Sequence, residues 1–433
     1  MNLWEGRRYQ WTDSNITQEQ LMKHIKAIGG VVAVLAGAML GAHGQDFRTD
    51  INPALTYYRS FLLAPDAMTN TDTDYLDSNA GRSKPIPARF DAIFAGFDRQ
   101  FLLARQAAHA TVPCDWGVDW SPGPETLLPQ LARVKRIAVM ARYRARWELQ
   151  QNRPDDARDD LLAAFVAGRN GSQDGSLISV LVQLAVENLV CSAVAENFYQ
   201  FPPETLEQLV AGMDAAPVGG TAAGSVAVEK IFSQEWLPNR VQELQKEYPG
   251  DDAKVMATIG KIFDNPGDGS TNPWPRIAGI AGNSAGLLKL AHDMQPLYAQ
   301  MGEILALPHG PFEDRMSQFN AEIQNSPNPL VTELIPAAEK SRAREFGGME
   351  TLAMVHAAVA YQLRGEEGFD NVMDPCGQGP FQMQRFVFQG VDRGFELKGA
   401  YDGRGYPEVM IFVEKNGPAF YVNGKNAGLP VTP

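Results

Sequence analysis

The spacing of apolar residues between Leu131 and Gln150 predicts a helix. Its apolar positions, at three- and four-residue steps, are Leu131, Val134, Ala138, Ala141, Ala145 and Leu149. Such steps place side chains on one helix face. A second helix should begin at Pro154, because proline is accepted at the first position of a helix. A third, Leu177 to Phe198, is apolar on nearly all sides, so we expect it at the centre of the domain.

Helical spacing also covers most of the remaining chain. The further predicted helices or helical segments are 52–63, 87–110, 202–213, 225–345 and 349–363, the last ending at Gly365. A polar loop is expected over 69–83. The pattern therefore predicts a helical domain over 45–215 and a second helical segment over 225–365 that packs on the first, joined by small residues at 216–224.

The pattern changes to a period of two after Asp374-Pro375. Phe395 and Leu397 alternate with polar neighbours, as strand residues do. Asn416-Gly417 and Asn423-Gly424 are strong hairpin turns. We predict an antiparallel meander over 381–424, within a C-terminal region spanning 375–433.

The predicted fold class is mainly α, with a helical-hairpin, repeat-like body and a small C-terminal antiparallel β-meander. A few short strands are marginally stable alone, so the meander should pack on the helices. The chain has no alternating βαβ pattern, which disfavours Rossmann and barrel enzymes.

The N-terminal region has the layout of a secretory signal peptide. Met22 to Lys26 is basic, and Ala27 to Gly41 is an uncharged apolar run. The small residues of Ala42-His43-Gly44 suit cleavage before Gln45. The apolar run is shorter than the roughly 20 residues that a membrane span needs.

We therefore expect residues 22–44 to be a signal peptide and the mature chain to be exported, to the periplasm or the cell exterior. Residues 1–21 are then a mis-assigned extension before a true start at Met22. The alternative is a short single-pass anchor with residues 1–21 in the cytoplasm.

Composition and charge narrow the possible partners. Of 433 residues, 44% are apolar and 21% are charged, as in soluble globular proteins. The net charge of −13 argues against nucleic acid, because phosphate binding needs a positive surface. It also argues against docking on an anionic membrane. We expect no nucleic-acid partner, and no integral membrane domain once the signal peptide is cleaved.

The three cysteines allow one disulfide. Cys191 should be a core residue of the third helix, whereas Cys114 and Cys376 lie in loops and are candidates for pairing in an oxidising compartment. No CxxC or histidine-rich spacing indicates a metal site, and no motif indicates a cofactor. The sequence therefore predicts neither.

The stretch from Pro122 to Glu196 resembles a group of signal-peptide-bearing bacterial proteins of unknown function. The segments that carry the resemblance are PGPETLLP, NRPDDA and LISVLVQLAVENLV, and the helix at 52–66 is similar to that group as well. The resemblance implies a secreted, mostly helical protein. Residues 138–168 are similar to one tetratricopeptide unit, a protein-binding repeat, but no second copy follows at its period of about 34 residues.

One segment matches a catalytic motif. Gly282-Asn283-Ser284-Ala285-Gly286 fits GxSxG, the nucleophile elbow of serine hydrolases, which needs a strand before the serine. Pro275 to Ala281 is not a convincing strand. Close packing of helices is the expected role of this segment, and a serine hydrolase using Ser284 is the alternative.

Lys135, Arg142 and Arg146 are the candidate anion-binding residues. Their steps of seven and four place them on one face of the first helix. The competing interpretation, which we favour, is a solvated face or pairing with the aspartate cluster at 155–160, because exposed ion pairs are common.

Glu187 is the fourth candidate binding residue. It lies four residues after Gln183 on the apolar third helix, and a buried carboxylate needs a partner. An arginine of the 131–150 helix is the expected partner. An unpartnered carboxylate in a cleft would instead be a site candidate.

These observations favour an exported, non-enzymatic helical scaffold, or a protein that binds another envelope protein or a peptide. Helical-hairpin surfaces commonly bind such partners in grooves.

Overall fold

The structure is a computed structural model. It describes residues 50–66, 68–78, 81–82, 84–263, 272–388, 391–402 and 408–413, with the backbone alone at 332–337 and 388. The predicted extension 1–21, the predicted signal peptide 22–44 and the two predicted Asn-Gly turns lie outside these residues. The predictions made for them are therefore untested by the fold.

The first helices of the described chain surround the predicted loop at 69–83. They are α1 (Pro53–Leu62), α2 (Asn70–Asp77), α3 (Asp91–Gly96) and α4 (Asp98–Ala108). Much of that loop is therefore helix α2, which begins where Thr69 accepts a hydrogen bond from the Asp72 N–H. The single helix predicted over 87–110 is two helices, and the interruption follows Gly96, because glycine is a poor helix former.

The three central helices agree closely with the prediction. They are α5 (Pro129–Gln150), α6 (Pro154–Gly171) and α7 (Leu177–Glu196). Ser176 caps α7 by accepting a hydrogen bond from the Ser179 N–H. All three pack against one another, and the apolar α7 is the central element.

A second series of helices follows. These are α8 (Pro203–Asp214), α9 (Ala222–Ile231), α10 (Leu237–Glu247), α11 (Asp252–Gly260), α12 (Trp274–Ala281), α13 (Ser284–Asp293), α14 (Gln295–Leu305) and α15 (His309–Ile323). The last helix, α16 (Pro329–Asp370), is interrupted at Gly365, which has φ +63°. The sequence predicted a break between a helical segment ending at 345 and a helix beginning at 349. Helix α16 instead runs through this position, because Gly347 and Gly348 allow close packing instead of ending it. A Cβ at Gly348 would lie 3.0 Å from Leu184 on α7.

The C-terminal sheet confirms the predicted β-meander as far as residue 413. It consists of β1 (Gln382–Phe388), β2 (Val391–Lys398) and β3 (Val409–Val413). They pair antiparallel in the order β1-β2-β3. Phe395 and Phe412 are fully buried and pair across β2 and β3. Both contact Phe198, just after α7, so the sheet packs on the helices as expected.

Two large apolar cores stabilise the described chain, beside a small cluster of Phe386, Ile411 and Val413 in the sheet. The first joins α1 to α8, the later part of α16 and the sheet. The second joins α9 to α15 and the earlier part of α16. Because α16 contributes to both, it connects the two groups of helices, and the described residues from Asn52 onward form one compact unit.

The small residues at 216–220 are held against the first core. The Gly220 N–H donates to the Ser172 Oγ and to the Gln183 Oε1, each at 2.8 Å. The Arg169 guanidinium donates to the Pro217 carbonyl at 3.2 Å. This segment therefore contacts the core directly as it leads into α9.

Among the described residues, α7 is the one helix long and apolar enough to cross a membrane. It packs against α5, α6, α9, α16 and β3, and more than half of its apolar window is buried. This is the environment of a core helix.

Gly168 on α6 provides a test of this packing. A Cβ at that position would lie 2.8 Å from the Val186 Cγ1 on α7, and a β-branched side chain cannot rotate away easily. We expect Gly168→Ala to lower the free energy of unfolding by about 1–3 kcal/mol, measured by urea denaturation.

Two further variants make this test specific. Val186→Ala combined with Gly168→Ala should recover part of the loss, because it removes the clashing methyl groups. Gly171→Ala, where the nearest contact would be 3.7 Å away, is the matched control and should change stability little. Equal stability of the two Gly→Ala variants would contradict the packing argument.

Candidate functional site

A groove lies between α1, α2 and the first half of α5. Its volume is about 380 Å³, and it is lined by Phe61, Ala64, Met68, Thr73, Phe97, Gln100, Ala132, Arg133, Lys135, Arg136, Val139, Met140 and Tyr143. We call it the α1–α5 groove. Its walls are mainly apolar, and the Tyr143 hydroxyl donates to Asp77 at 2.8 Å, which fixes the tyrosine ring in place.

Three cations lie on the α5 rim of this groove. Arg133, Lys135 and Arg136 are exposed, and none of them forms an ion pair within the described part of the chain. The predicted binding residue Lys135 therefore lies at a groove. Arg133 and Arg136, which the sequence reasoning did not single out, lie there with it.

Arg142 and Arg146 do not share this position. The Arg142 guanidinium pairs with Glu196 at 3.1 Å and with Asp77 at 3.2 Å. Arg146 donates to the backbone carbonyls of Gly81 and Lys84. Asp77, Gly81 and Lys84 contact this half of α5. The predicted basic stripe is therefore divided between a groove and a set of structural contacts.

The predicted partners of the aspartate cluster were also wrong. Asp160 is fully buried, and it accepts from the Arg144 Nε at 2.7 Å and the Arg105 Nη2 at 2.6 Å. Arg144 itself is 2% exposed and also contacts Glu148. The sequence signal was present, because Arg144 follows Ala141 by three residues and therefore borders the apolar stripe.

Glu187 is buried, as expected, but its arginine comes from another helix. The Arg169 Nε on α6 donates to the Glu187 Oε1 at 2.9 Å, and the Gln183 amide donates to the same oxygen at 3.3 Å. Burial raises the pKa of Glu187, and Arg169 opposes that shift. The predicted partner on α5 was wrong because the last turn of α6 lies closer to Glu187.

Ser284 lies at the first position of α13, and Gly282 and Asn283 separate it from the end of α12. Its hydroxyl donates to Asp252 and accepts from the Gln245 amide at 3.1 Å, and neither partner is a histidine. The segment before it is α12, whereas a nucleophile elbow follows a strand. Ser284 is 2% exposed, so this geometry suits helix packing better than catalysis.

A larger cleft of about 580 Å³ lies near Trp120 and Trp236. Its charged groups have both signs, and Arg240 is already paired with Glu243 at 3.1 Å. The cleft therefore shows no clear preference for one ligand charge.

One group of metal-ligand side chains escaped the sequence reasoning. Glu350, Asp374 and Cys376 have ligand atoms that all lie within 4.8 Å of one another. Asp374 and Cys376 are two residues apart in sequence. Glu350 lies on α16, and no short spacing connects it to them.

The Glu187 pair gives a stability prediction. Glu187→Ala would remove the carboxylate that pairs with Arg169 at a largely buried position. We therefore expect the free energy of unfolding to fall by about 3 kcal/mol, measured by thermal and urea denaturation. Asp293→Ala is the control, because its pair with Lys289 is exposed and should contribute less than about 1 kcal/mol. An unchanged melting temperature for Glu187→Ala would contradict the structural role.

Glu148 gives a pH prediction. Burial raises its pKa to about 7, although Arg153 and Arg144 oppose the shift. The folded state therefore holds this proton more tightly than the unfolded state, whose glutamate has a pKa near 4.5. Protonation of Glu148 therefore contributes fully to the free energy of unfolding below about pH 4.5. This contribution is lost as the pH rises through 7.

The test compares wild type with Glu148→Gln, which cannot titrate. Between pH 4.5 and 8 the unfolding free energy of wild type should fall relative to that of the variant, by about 2 kcal/mol after allowance for solvent screening. Asp155→Asn, at a largely exposed carboxylate, should run parallel to wild type. A parallel curve for Glu148→Gln would show that this proton is not shifted.

Comparison of the chain with protein-family models, curated proteins and solved structures gives no match. The resemblance drawn from the sequence therefore stays a prediction, and function rests on the geometry of the described residues.

Proposed function

We propose that the chain is a binding protein, and that its α1–α5 groove takes an apolar segment of a protein or peptide that also carries acidic residues. The observation that supports this is the combination of apolar walls with three exposed cations, Arg133, Lys135 and Arg136, on one rim.

The apolar walls would supply most of the affinity. Phe97 and Met140 are nearly buried, while Phe61 and Val139 keep part of their surface exposed. A ligand that covers this surface releases water from it, which is favourable. A volume of about 380 Å³ is at the lower end for ligand pockets, so it suits a few apolar side chains.

The rim cations would supply selectivity. The whole chain carries a net charge of −13, so an acidic partner is repelled by most of its surface and attracted at this rim. Such local complementarity steers association and fixes the register of the partner more than it adds affinity. The carboxylates of the partner should therefore lie next to its apolar anchors.

The compartment of this binding is part of the proposal. If residues 22–44 direct export as their pattern predicts, the partner is another exported or envelope protein. Nothing in the groove itself depends on that step, so binding can be tested with the purified chain.

The experiment screens a displayed peptide library against the full chain and measures the selected peptides by fluorescence anisotropy. We expect selected peptides to carry two or three apolar side chains beside Asp or Glu. The triple variant Arg133→Glu, Lys135→Glu and Arg136→Glu should bind them at least tenfold more weakly, since a lost charge pair costs about 1 kcal/mol or more. Added salt should weaken wild-type binding.

Two controls separate the groove from general charge effects. The triple variant Lys246→Glu, Lys289→Glu and Lys340→Glu makes the same charge change at exposed positions elsewhere and should bind like wild type. Ala132→Trp would fill the groove without changing charge and should also weaken binding. Equal binding by wild type and both groove variants would overturn the proposal.

A further inference from the structure

A polar cluster lies where α16 meets the sheet. Glu350, in the middle of α16, is fully buried. Asp374 and Cys376 follow α16 and precede β1. The ligand oxygens of the two carboxylates and the Cys376 Sγ all lie within 4.8 Å of one another. We call these three residues the Glu350 cluster.

One oxygen of this cluster has no partner. The Glu350 Oε1 accepts the Tyr401 N–H at 2.8 Å, whereas the buried Oε2 has no hydrogen bond within the described part of the chain. A buried carboxylate oxygen without a partner is costly. Gly399 lies against it, since a Cβ there would be 2.3 Å from Oε2, so the backbone closes tightly around this carboxylate.

The backbone also fixes the orientation of Asp374. Its Oδ1 accepts the Cys376 N–H at 2.8 Å and its Oδ2 accepts the Ala400 N–H at 2.7 Å. Each oxygen keeps a second lone pair for another bond. Hydrogen bonds of this kind orient the ligands in metal sites.

The donor set has a clear chemical preference. Two carboxylates and one thiolate suit Zn²⁺, which takes oxygen and sulfur ligands, and not Ca²⁺ or Mg²⁺, which take oxygen ligands. In a tetrahedral zinc site the ligand atoms are about 3.3–3.8 Å apart. The largest separation in the cluster, no more than 4.8 Å, would therefore need to contract by about 1.0–1.5 Å at most.

We propose that the Glu350 cluster binds one zinc-type divalent ion, with Glu350, Asp374 and Cys376 as its three protein ligands. The ion gives the Glu350 Oε2 a partner and offsets the repulsion between two carboxylates. Three protein ligands leave a fourth position for water, an arrangement typical of reactive zinc rather than closed structural zinc.

A shared proton is the competing explanation. A protonated Glu350 Oε2 would donate a hydrogen bond to an Asp374 oxygen. Both oxygens would then have a hydrogen-bond partner without a metal. Burial raises the pKa of Glu350 to about 9, with the nearby Asp374 adding to the shift. The two explanations make opposite predictions about metal.

The experiment uses the full chain, stripped of metal with a chelator and dialysed. Zinc is titrated by calorimetry, and bound metal is counted by elemental analysis. We expect one zinc ion per chain with submicromolar affinity and no effect of Mg²⁺ or Ca²⁺. Glu350→Gln, Asp374→Asn and Cys376→Ser should each weaken binding at least 100-fold, whereas Cys114→Ser, at a buried thiol outside the cluster, should not.

A second measurement does not depend on the folding of variants. Cobalt bound to the wild-type chain should show a thiolate-to-cobalt charge-transfer band, which reports Cys376 as a ligand. Absence of stoichiometric zinc, or zinc bound equally well by wild type and the three cluster variants, would overturn the proposal. So would a cobalt complex without the thiolate band.

Discussion

Helix α7 sets the main constraint on this fold, because it has almost no polar face and more than half of its apolar window is buried. The chain covers this helix from both directions in sequence: α5 and α6 from before it, and α9, α16 and β3 from after it. The sheet is part of this cover, since Phe198 beyond the end of α7 meets Phe395 and Phe412. The C-terminal strands therefore complete the first core.

Burying so much helix also buries charge, and arginines from distant positions neutralise it. Arg144 and Arg105 meet Asp160, and Arg169 meets Glu187. Removing one partner of such a pair is far more costly than the pair is stabilising, so these contacts specify which helices can be neighbours. Arg133, Lys135 and Arg136 on the α5 rim take part in none of these buried pairs and stay exposed.

The sequence predicted the elements well because helix and strand periodicity are local. Helices α5, α6 and α7 and the strand residues around Phe395 followed from spacing alone. The ion-pair partners of the charged side chains did not follow from spacing, because they are distant in sequence. Arg142, for example, contacts Asp77 and Glu196, which are 65 and 54 residues away. The same limit applied to Glu187, whose arginine depends on how α6 and α7 cross. The Glu350 cluster could not be predicted, since it forms only when the segment between α16 and β1 folds back onto the middle of α16.

None of the three cysteines forms a disulfide. Cys114 and Cys191 are buried, and burial raises the pKa of both thiols, that of Cys114 to about 12, so neither is a ready nucleophile. Apolar burial and arginine pairs therefore stabilise the described part of the fold, and neither depends on the redox state of the surroundings. Among the described residues, folding therefore has no step that depends on an oxidant joining two thiols.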